Sequence, residues 1–345
     1  MADPREPFLR ARARIVAAVR AFFVERGYVE VETPHLLPAP LPEAHIDPVP
    51  AEGGVLHPSP ELAMKRLLAR GWDRIFQICR CWRAGERGRL HLPEFTMLEW
   101  YRVGATYEDL MAECEDLIPA VARAAGVGPG IRTAGRQVDL APPWPRIPVD
   151  EAFRRWAGAD PEEALARGMF EELLVERVEP ALAELGKPAF LCDYPLDQAA
   201  LARRRPDRPD RAERFELYAG GLELANAFTE LTDPAEQRAR FETELALRRA
   251  RGAWTGPLPE GFLADLARLP PCAGIALGVD RLVMLLTGAD RIDRVVAFTP
   301  EELAETGSGS TTGSRPHQAA SPRRLIGGPA SKWSYPQTRG PRQAG

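Results

Sequence analysis

Four groups of residues in this 345-residue chain have types and spacings that could do chemistry. The first is a set of arginines, Arg80, Arg83, Arg87 and Arg89, around the turn between two strand-like runs at 74–83 and 94–102. A guanidinium fixed at a strand end can grip phosphate or carboxylate bidentately and steady charge that moves in acyl or phosphoryl transfer. Solvated arginines at a hairpin tip are the plain alternative. The second is Glu223 with Glu230, seven positions apart. A straight strand puts them on opposite faces. A bulge near Asn226 and Ala227 turns both carboxylates to one side, where their oxygens suit Mg²⁺; two ordinary surface glutamates would read the same way. The third is the run from Gly274 to Arg281, a strand with interior glycines followed by an Arg in the first turn of a helix. Such glycines mark close backbone approach, and a cation there opposes the helix dipole, so an anionic or aromatic ligand is expected unless the glycines only ease packing. The fourth is Ser59-Pro60-Glu61, which reads locally as a helix N-cap and first-turn acid. Cys79 and Cys81 form a C-x-C pair without a His at ligand spacing, so no structural zinc site is expected.

These groups need elements to hold them. Residues 7–26 have helical apolar spacing that stops at Gly27, and 28–34 alternate like a strand ended by Pro34. A proline-rich connection (36–60) leads to a helix at 61–70 and then to the arginine-bearing hairpin, 74–102. Helices are predicted over 107–125 and 149–185, with a Pro/Gly stretch of little information between. Strands follow at 189–194, 214–218 and 221–230, then an Arg/Glu-rich surface helix at 234–252. The small-residue strand 272–279 runs into a helix at 280–286. Hairpins mixed with helices, without a repeating strand–helix–strand rhythm, predict an α+β fold with an antiparallel sheet flanked by helices. No GxGxxG follows a strand and no GxxxxGK[ST] is present, which speaks against Rossmann and P-loop nucleotide binding.

Composition narrows the class. The chain carries 45 Lys+Arg and 49 Asp+Glu, a net −4. No acid occurs after Glu305, while Arg315, Arg323, Arg324, Lys332, Arg339 and Arg342 do. Residues 1–305 therefore hold 39 basic against 49 acidic residues, a net −10. Residues 306–345 read as a basic, low-complexity, disordered tail. No apolar run is long enough for a membrane helix, the charged start lacks a signal peptide, and five cysteines do not suit a disulfide framework. The expected location is the cytoplasm.

The longer segments SPELAMKRLL (59–68), HLPEFTMLEWYR (91–102), GLELANAFTELTDPAEQRARF (221–241) and GIALGVDRLVML (274–285) carry a resemblance. They are similar to the class II aminoacyl-tRNA synthetases of the lysyl branch, with motif 1 at about 13–34, motif 2 at about 74–102 and motif 3 at about 272–286. There is no room for the anticodon-binding domain that precedes lysyl-tRNA synthetases, and ELAN and GIALG, with Ala276 for glycine, resemble the short paralogues that lysylate elongation factor P. The acidic body agrees: a tRNA binder needs basic surface.

The resemblance implies a single catalytic domain over 1–305 that uses ATP and Mg²⁺, acts on lysine or (R)-β-lysine and elongation factor P, forms a homodimer through motif 1, and does not bind tRNA. A free-standing core acting on tRNA or a small amine, and an inactive paralogue, are the alternatives. It implies that Arg83, with Glu223 and Arg281, is catalytic, that Arg83 binds the α-phosphate, and that Phe95 and Arg281 sandwich adenine. Ala84, Gly85, Leu92, Leu224 and Gly278 would complete the ATP site. Glu223 and Glu230 would hold Mg²⁺, and Ser59, Pro60, Glu61, Glu99, Tyr101, Asn226 and Glu230 would bind the amino acid. Three departures stand out: Gly85 where an acid is usual, with Glu86 next to it; Leu92 for an Asn; and Ala227 for a Gly, crowding the expected bend.

Overall fold

A computed structural model describes residues 3–133 and 135–305. Met1–Pro300 form one compact unit, and the basic tail expected at 306–345 lies outside the described residues. The main sheet has eight strands: β1 (Val29–Glu30), β2 (Arg74–Trp82), β3 (Glu94–Val103), β4 (Arg146–Pro148), β5 (Ala189–Cys192), β6 (Arg214–Ala219), β7 (Leu222–Thr229) and β8 (Cys272–Gly278). Their order is β1-β2-β3-β8-β7-β6-β5-β4. Only the two edge pairings, β1 with β2 and β4 with β5, are parallel; every pairing between them is antiparallel. The α+β expectation holds, and β8, late in the chain, lies in the middle.

One face of the sheet is dry. Helices α1 (Glu6–Glu25), α3 (Tyr107–Ala124) and α6 (Val279–Thr287) cover it, and α2 (Glu61–Leu68), α4 (Pro234–Ala250) and α5 (Glu260–Leu266) belong to the other side. Ile15, Val19 and Phe23 of α1 meet Leu110, Leu117 and Val121 of α3 and Leu282 and Val283 of α6, over Phe76, Leu98, Trp100, Ile275 and Leu277 of the strands. Helix α3 starts sharply because Thr106 and Asp109 make a reciprocal capping box. On the second face Leu62, Met64 and Leu68 of α2 pack with Tyr101, Phe241 and Phe262 and close one end. The rest of that face holds the polar residues discussed below.

Three expectations change. The strand at 28–34 shrinks to Val29–Glu30. The proline-rich connection contains a small three-stranded sheet at 36–37, 49–51 and 54–56. The long helix at 149–185 is a chain of short pieces, interrupted at Gly158 and Gly168, which take φ of 65° and 67°. No helix among the described residues is long and apolar enough to cross a membrane.

Candidate active site

Strand register assembles the open face into rows. Ile75, Tyr101, Gly274, Phe228 and Arg214 are paired in turn across β2, β3, β8, β7 and β6; the next row is Gln77, Glu99, Ala276, Asn226 and Glu216. Gly274, Ala276 and Gly278 on β8 thus form the low floor of a trough with polar walls on either side. Glu223 joins this face through a bulge. Leu217 pairs with Ala225 but Tyr218 pairs with Glu223, so Leu224 is the extra residue. Leu224 and Ala225 both enter the core, which puts Glu223, Asn226, Phe228 and Glu230 on one side. The expectation of a bulge was right and its position at Asn226–Ala227 was not; Ala227 sits in regular pairing opposite Phe215 and Ile275 and is buried in the core.

One end of the trough is a buried cluster of charge. Lys65 of α2 is 1% exposed and ion-paired with Glu61, at 2.5 Å, and with Glu230. Burial works against its charge, but the two carboxylates outweigh it and keep Lys65 cationic. Glu99 accepts hydrogen bonds from Ser59 Oγ and Tyr101 Oη, each at 2.6 Å. Ser59 Oγ also accepts the Glu61 amide at 3.0 Å, but buried Pro60 takes the N-cap position that the sequence indicated for Ser59, one residue later. Burial, then the neighbouring Glu61, pushes Glu99 up to about 8. Gly274 makes this crowding feasible: a Cβ there would overlap Tyr101 Cε1 and approach Glu230 Oε1 to 2.5 Å. Here, then, the glycine admits two side chains of the protein itself. Three carboxyl groups, Glu61, Glu99 and Glu230, gather around one ammonium, so acidic groups outnumber the single cation of the pocket.

The other end is more open. Arg83 follows β2, its Nη1 stands 3.7 Å from Glu86, and its guanidinium lies 5.1 Å from the Phe95 ring centre. Its Nε is buried without a hydrogen-bond partner among the described residues, an arrangement that suits an incoming anionic oxygen. The displaced acid Glu86 therefore still neighbours Arg83. Ala84 donates to the Asp47 carbonyl at 2.7 Å, and Gly85 turns the chain with φ of 77°. Arg281 donates to the Glu223 carbonyl at 2.8 Å, to its carboxylate at 3.1 Å and contacts His91 Nε2 at 2.6 Å. These partners offset its unfavourable place in the helix. Asp280 accepts the Thr96 amide at 2.7 Å and Arg12 at 2.5 Å, which ties the start of α6 to β3 beside Phe95. A Cβ at Gly278 would meet nothing closer than the Arg281 stem at 3.9 Å, so no side chain of the protein fills that space.

Several expected residues are placed differently. Seven positions of β7, less one for the bulge, span roughly 20 Å; Glu223 and Glu230 are at opposite ends and cannot share one ion. The carboxylate beside Glu223 is Glu216, which sequence reasoning missed although Glu216, Glu223 and Glu230 recur at intervals of seven. Glu216 is held by Tyr194, Tyr218 and Arg214 at 2.5, 2.6 and 2.5 Å. Burial first, then the charges of Glu223 and Glu216, lifts nearby Glu179 to about 7. Three carboxyl groups here, Glu179, Glu216 and Glu223, outnumber the two guanidiniums that reach them, Arg214 and Arg281, and their oxygens are donors that fit a divalent cation such as Mg²⁺. Asn226 faces the trough and accepts Arg214 Nε at 3.1 Å. Leu92 and Leu224 are buried in the opposite core, so their side chains do not line the trough. Arg87 and Arg89 bond to Asp293 and the Asp290 carbonyl, and Arg80 to Glu94, away from it. Gln77 was also missed; its buried amide lies in the trough row of Glu99.

An antiparallel sheet with an arginine hairpin, a carboxylate strand and a glycine strand entering a helix defines the chain's class. It belongs to the class II tRNA synthetases (D, K and N), whose family description matches residues 3–302. Among curated proteins it is 41% identical to the elongation factor P–(R)-β-lysine ligase of Vibrio cholerae, over 84% of this chain and 94% of that one, and 42% identical to that of Pectobacterium atrosepticum, over 85% and 95%. It is also 39% identical to the lysine–tRNA ligase of Anaeromyxobacter sp. (strain K), over 85% of this chain and 65% of the ligase. The chain thus spans less than two thirds of the length of the lysine–tRNA ligases it matches.

Proposed function

We propose that this chain is an ATP-dependent ligase that activates lysine or (R)-β-lysine as an aminoacyl-adenylate and transfers it to a lysine ε-amine on elongation factor P. The observation that carries this reading is the trough itself: a pocket with excess carboxylate at one end and a buried, unpartnered Arg83 Nε at the other. Near full-length likeness to the two elongation factor P ligases supports the acceptor. The −10 body agrees, since long-range attraction favours a basic protein partner over tRNA.

In the first step the amino acid lies along β8 with an ammonium among Glu61, Glu99, Tyr101 and Glu230, and its carboxylate attacks the α-phosphorus of ATP. Pyrophosphate leaves. Arg83 takes the growing charge on the α-phosphate oxygens, while Phe95 and Arg281 hold adenine between a ring face and a guanidinium. In the second step the acceptor ε-amine attacks the adenylate carbonyl, forming an amide and releasing AMP. No covalent enzyme intermediate is needed, so catalysis is positioning plus electrostatics. Glu216 with Glu223 would hold Mg²⁺, which when bound neutralises triphosphate charge. The catalytic domain is residues 1–305. A homodimer formed through the first helix and β1 is part of the proposal, supported by the exposed Val24 and Val29 beside that sheet edge; a cytoplasmic location goes with the acceptor.

Lysine- or β-lysine-dependent ATP–pyrophosphate exchange, followed by intact mass of elongation factor P, tests the reading. A gain of one lysyl unit, absent with Arg83→Ala, is expected. Exchange without modification of the factor, together with charging of bulk tRNA, would move the reading to a free-standing tRNA enzyme, and no exchange at all to an inactive relative.

A further inference from the structure

On the trough face, in the rows of Gly278 and Phe95, lies a cluster to which the proposed reaction gives no role. Cys79 and Cys81 are two apart on β2 and point to the same face, and Met97 is the register partner of Cys79 on β3. Their sulfurs are close: 4.0 Å between Cys79 and Cys81, and 3.9 Å from Cys81 Sγ to Met97 Sδ. His57, brought in from the segment after the small sheet, puts Nε2 4.0 Å from Cys79 Sγ. The ligand atoms of His57, Cys79 and Cys81 all lie within 4.8 Å of one another, and all three residues are buried. The sequence had separated the cysteines from any His at ligand spacing; folding supplies it across 22 positions.

We propose that His57, Cys79, Cys81 and Met97 form a site for a soft, closed-shell, thiophilic cation, Cu⁺ or Zn²⁺. Around one tetrahedral ion, sulfur ligands at about 2.3 Å stand roughly 3.8 Å apart, close to the spacings present before any ion binds. Two thiols, one imidazole and one thioether are the donors such ions select, and none of the four is the oxygen donor that hard cations favour. His57 is also orphaned in a telling way. Its Nε2 contacts the Arg80 carbonyl at 2.8 Å, and its Nδ1 is buried without a partner among the described residues. Coordination through Nε2 breaks its hydrogen bond to the Arg80 carbonyl, and the proton that Nε2 donated there moves to Nδ1. Each thiol gives its proton to solvent as its sulfur binds, so loading releases up to two protons. An ion here clamps β2 to β3 two residues before Arg83 and two after Phe95.

The full chain, reduced and stripped of metal, would be titrated with Zn²⁺ and, anaerobically, with Cu⁺, each against a chromophoric chelator. One equivalent of at least one ion is expected, with thiolate-to-metal absorption for Cu⁺. Cys79→Ser and Cys81→Ser should each weaken binding by more than about 100-fold, beyond what outer partners cost, while Cys114→Ser, at a buried cysteine outside the cluster, leaves it intact. Met97→Leu, a volume-conserving change, should weaken Cu⁺ and spare Zn²⁺, which separates the two ions. Circular dichroism of each variant checks folding, and alkylation of the wild type gives a readout that needs no substitution: bound metal should protect Cys79 and Cys81. Failure to retain either ion, or retention undiminished in both serine variants, overturns the site.

Discussion

The two ends of the trough solve opposite problems. At the Lys65 end, charge is buried and mostly answered from within: Glu61 and Glu230 hold Lys65, and Ser59 and Tyr101 hold Glu99. At the Arg83 end the side chains are more exposed, backbone carbonyls take up Arg281, and Arg83 Nε has no partner. A small diammonium ligand with a fixed shape suits a prebuilt, desolvated pocket, whereas a nucleotide that arrives with its own charge suits an open one. The first end therefore couples binding to fold stability, and the second does not. Substitutions at the two ends should separate along that line.

The largest expected effect is on stability. Lys65→Met leaves two buried carboxylates without a cation and should cost about 3–5 kcal/mol, read as a lower urea midpoint. Adding Glu230→Gln should recover much of that loss; no recovery would mean the pair is not the source. Arg83→Ala should do the reverse, leaving the urea midpoint unchanged and slowing ATP–pyrophosphate exchange about 10²–10³-fold. A comparable loss of stability in Arg83→Ala would erase the contrast between the ends.

Local pattern made much of this visible. The 74–102 hairpin, the 107–125 helix and the 272–286 strand and helix are each set by period, glycine and capping chemistry, and they appear within a residue or two. Glu61, Glu99, Tyr101 and Glu230 also converge as the family resemblance implied. What was hidden depends on register between strands distant in sequence. Glu216 reaches Glu223 only because β6 and β7 pair with a bulge at Leu224, and His57 reaches Cys79 only because the chain after the small sheet bonds to the end of β2, where the His57 carbonyl accepts the Trp82 amide. Leu92 and Leu224 were assigned by position in a motif, yet alternation and the bulge turn both side chains into the core. Motif position predicts which backbone lines a site; which side chain does so is decided by packing.

Paired glycine variants sharpen the comparison at smaller magnitude. Gly274→Ala puts a methyl into Tyr101 and against Glu230 Oε1, so overpacking of about 1–3 kcal/mol is expected together with a raised KM for lysine. Gly278→Ala meets only the Arg281 stem at 3.9 Å and should shift stability by less than about 0.5 kcal/mol while raising the KM for ATP. Equal stability losses in the two variants would show that the open end is as tightly built as the closed one.

The smallest effect is a pH dependence that belongs to one end alone. Burial and Glu61 raise Glu99 to about 8 from its ordinary 4.5. The folded chain thus holds a proton there that the unfolded chain has lost between those values, so this carboxyl costs stability progressively as pH rises from 4.5 to about 8. Lysine binding runs the other way: its side-chain ammonium, near 10.4, stays charged throughout, while Glu99 gains its negative charge. Lysine Kd should therefore fall as pH climbs from 6 to about 8, by at most about tenfold per unit, and level off above. Glu99→Gln should flatten both profiles, raising stability near pH 8 while weakening lysine binding there. ATP affinity over the same range should follow neither curve, because Glu99 belongs to the closed end; calorimetric titration of each ligand in both proteins distinguishes these outcomes, and a matching pH slope for ATP would show that the two ends titrate as one site.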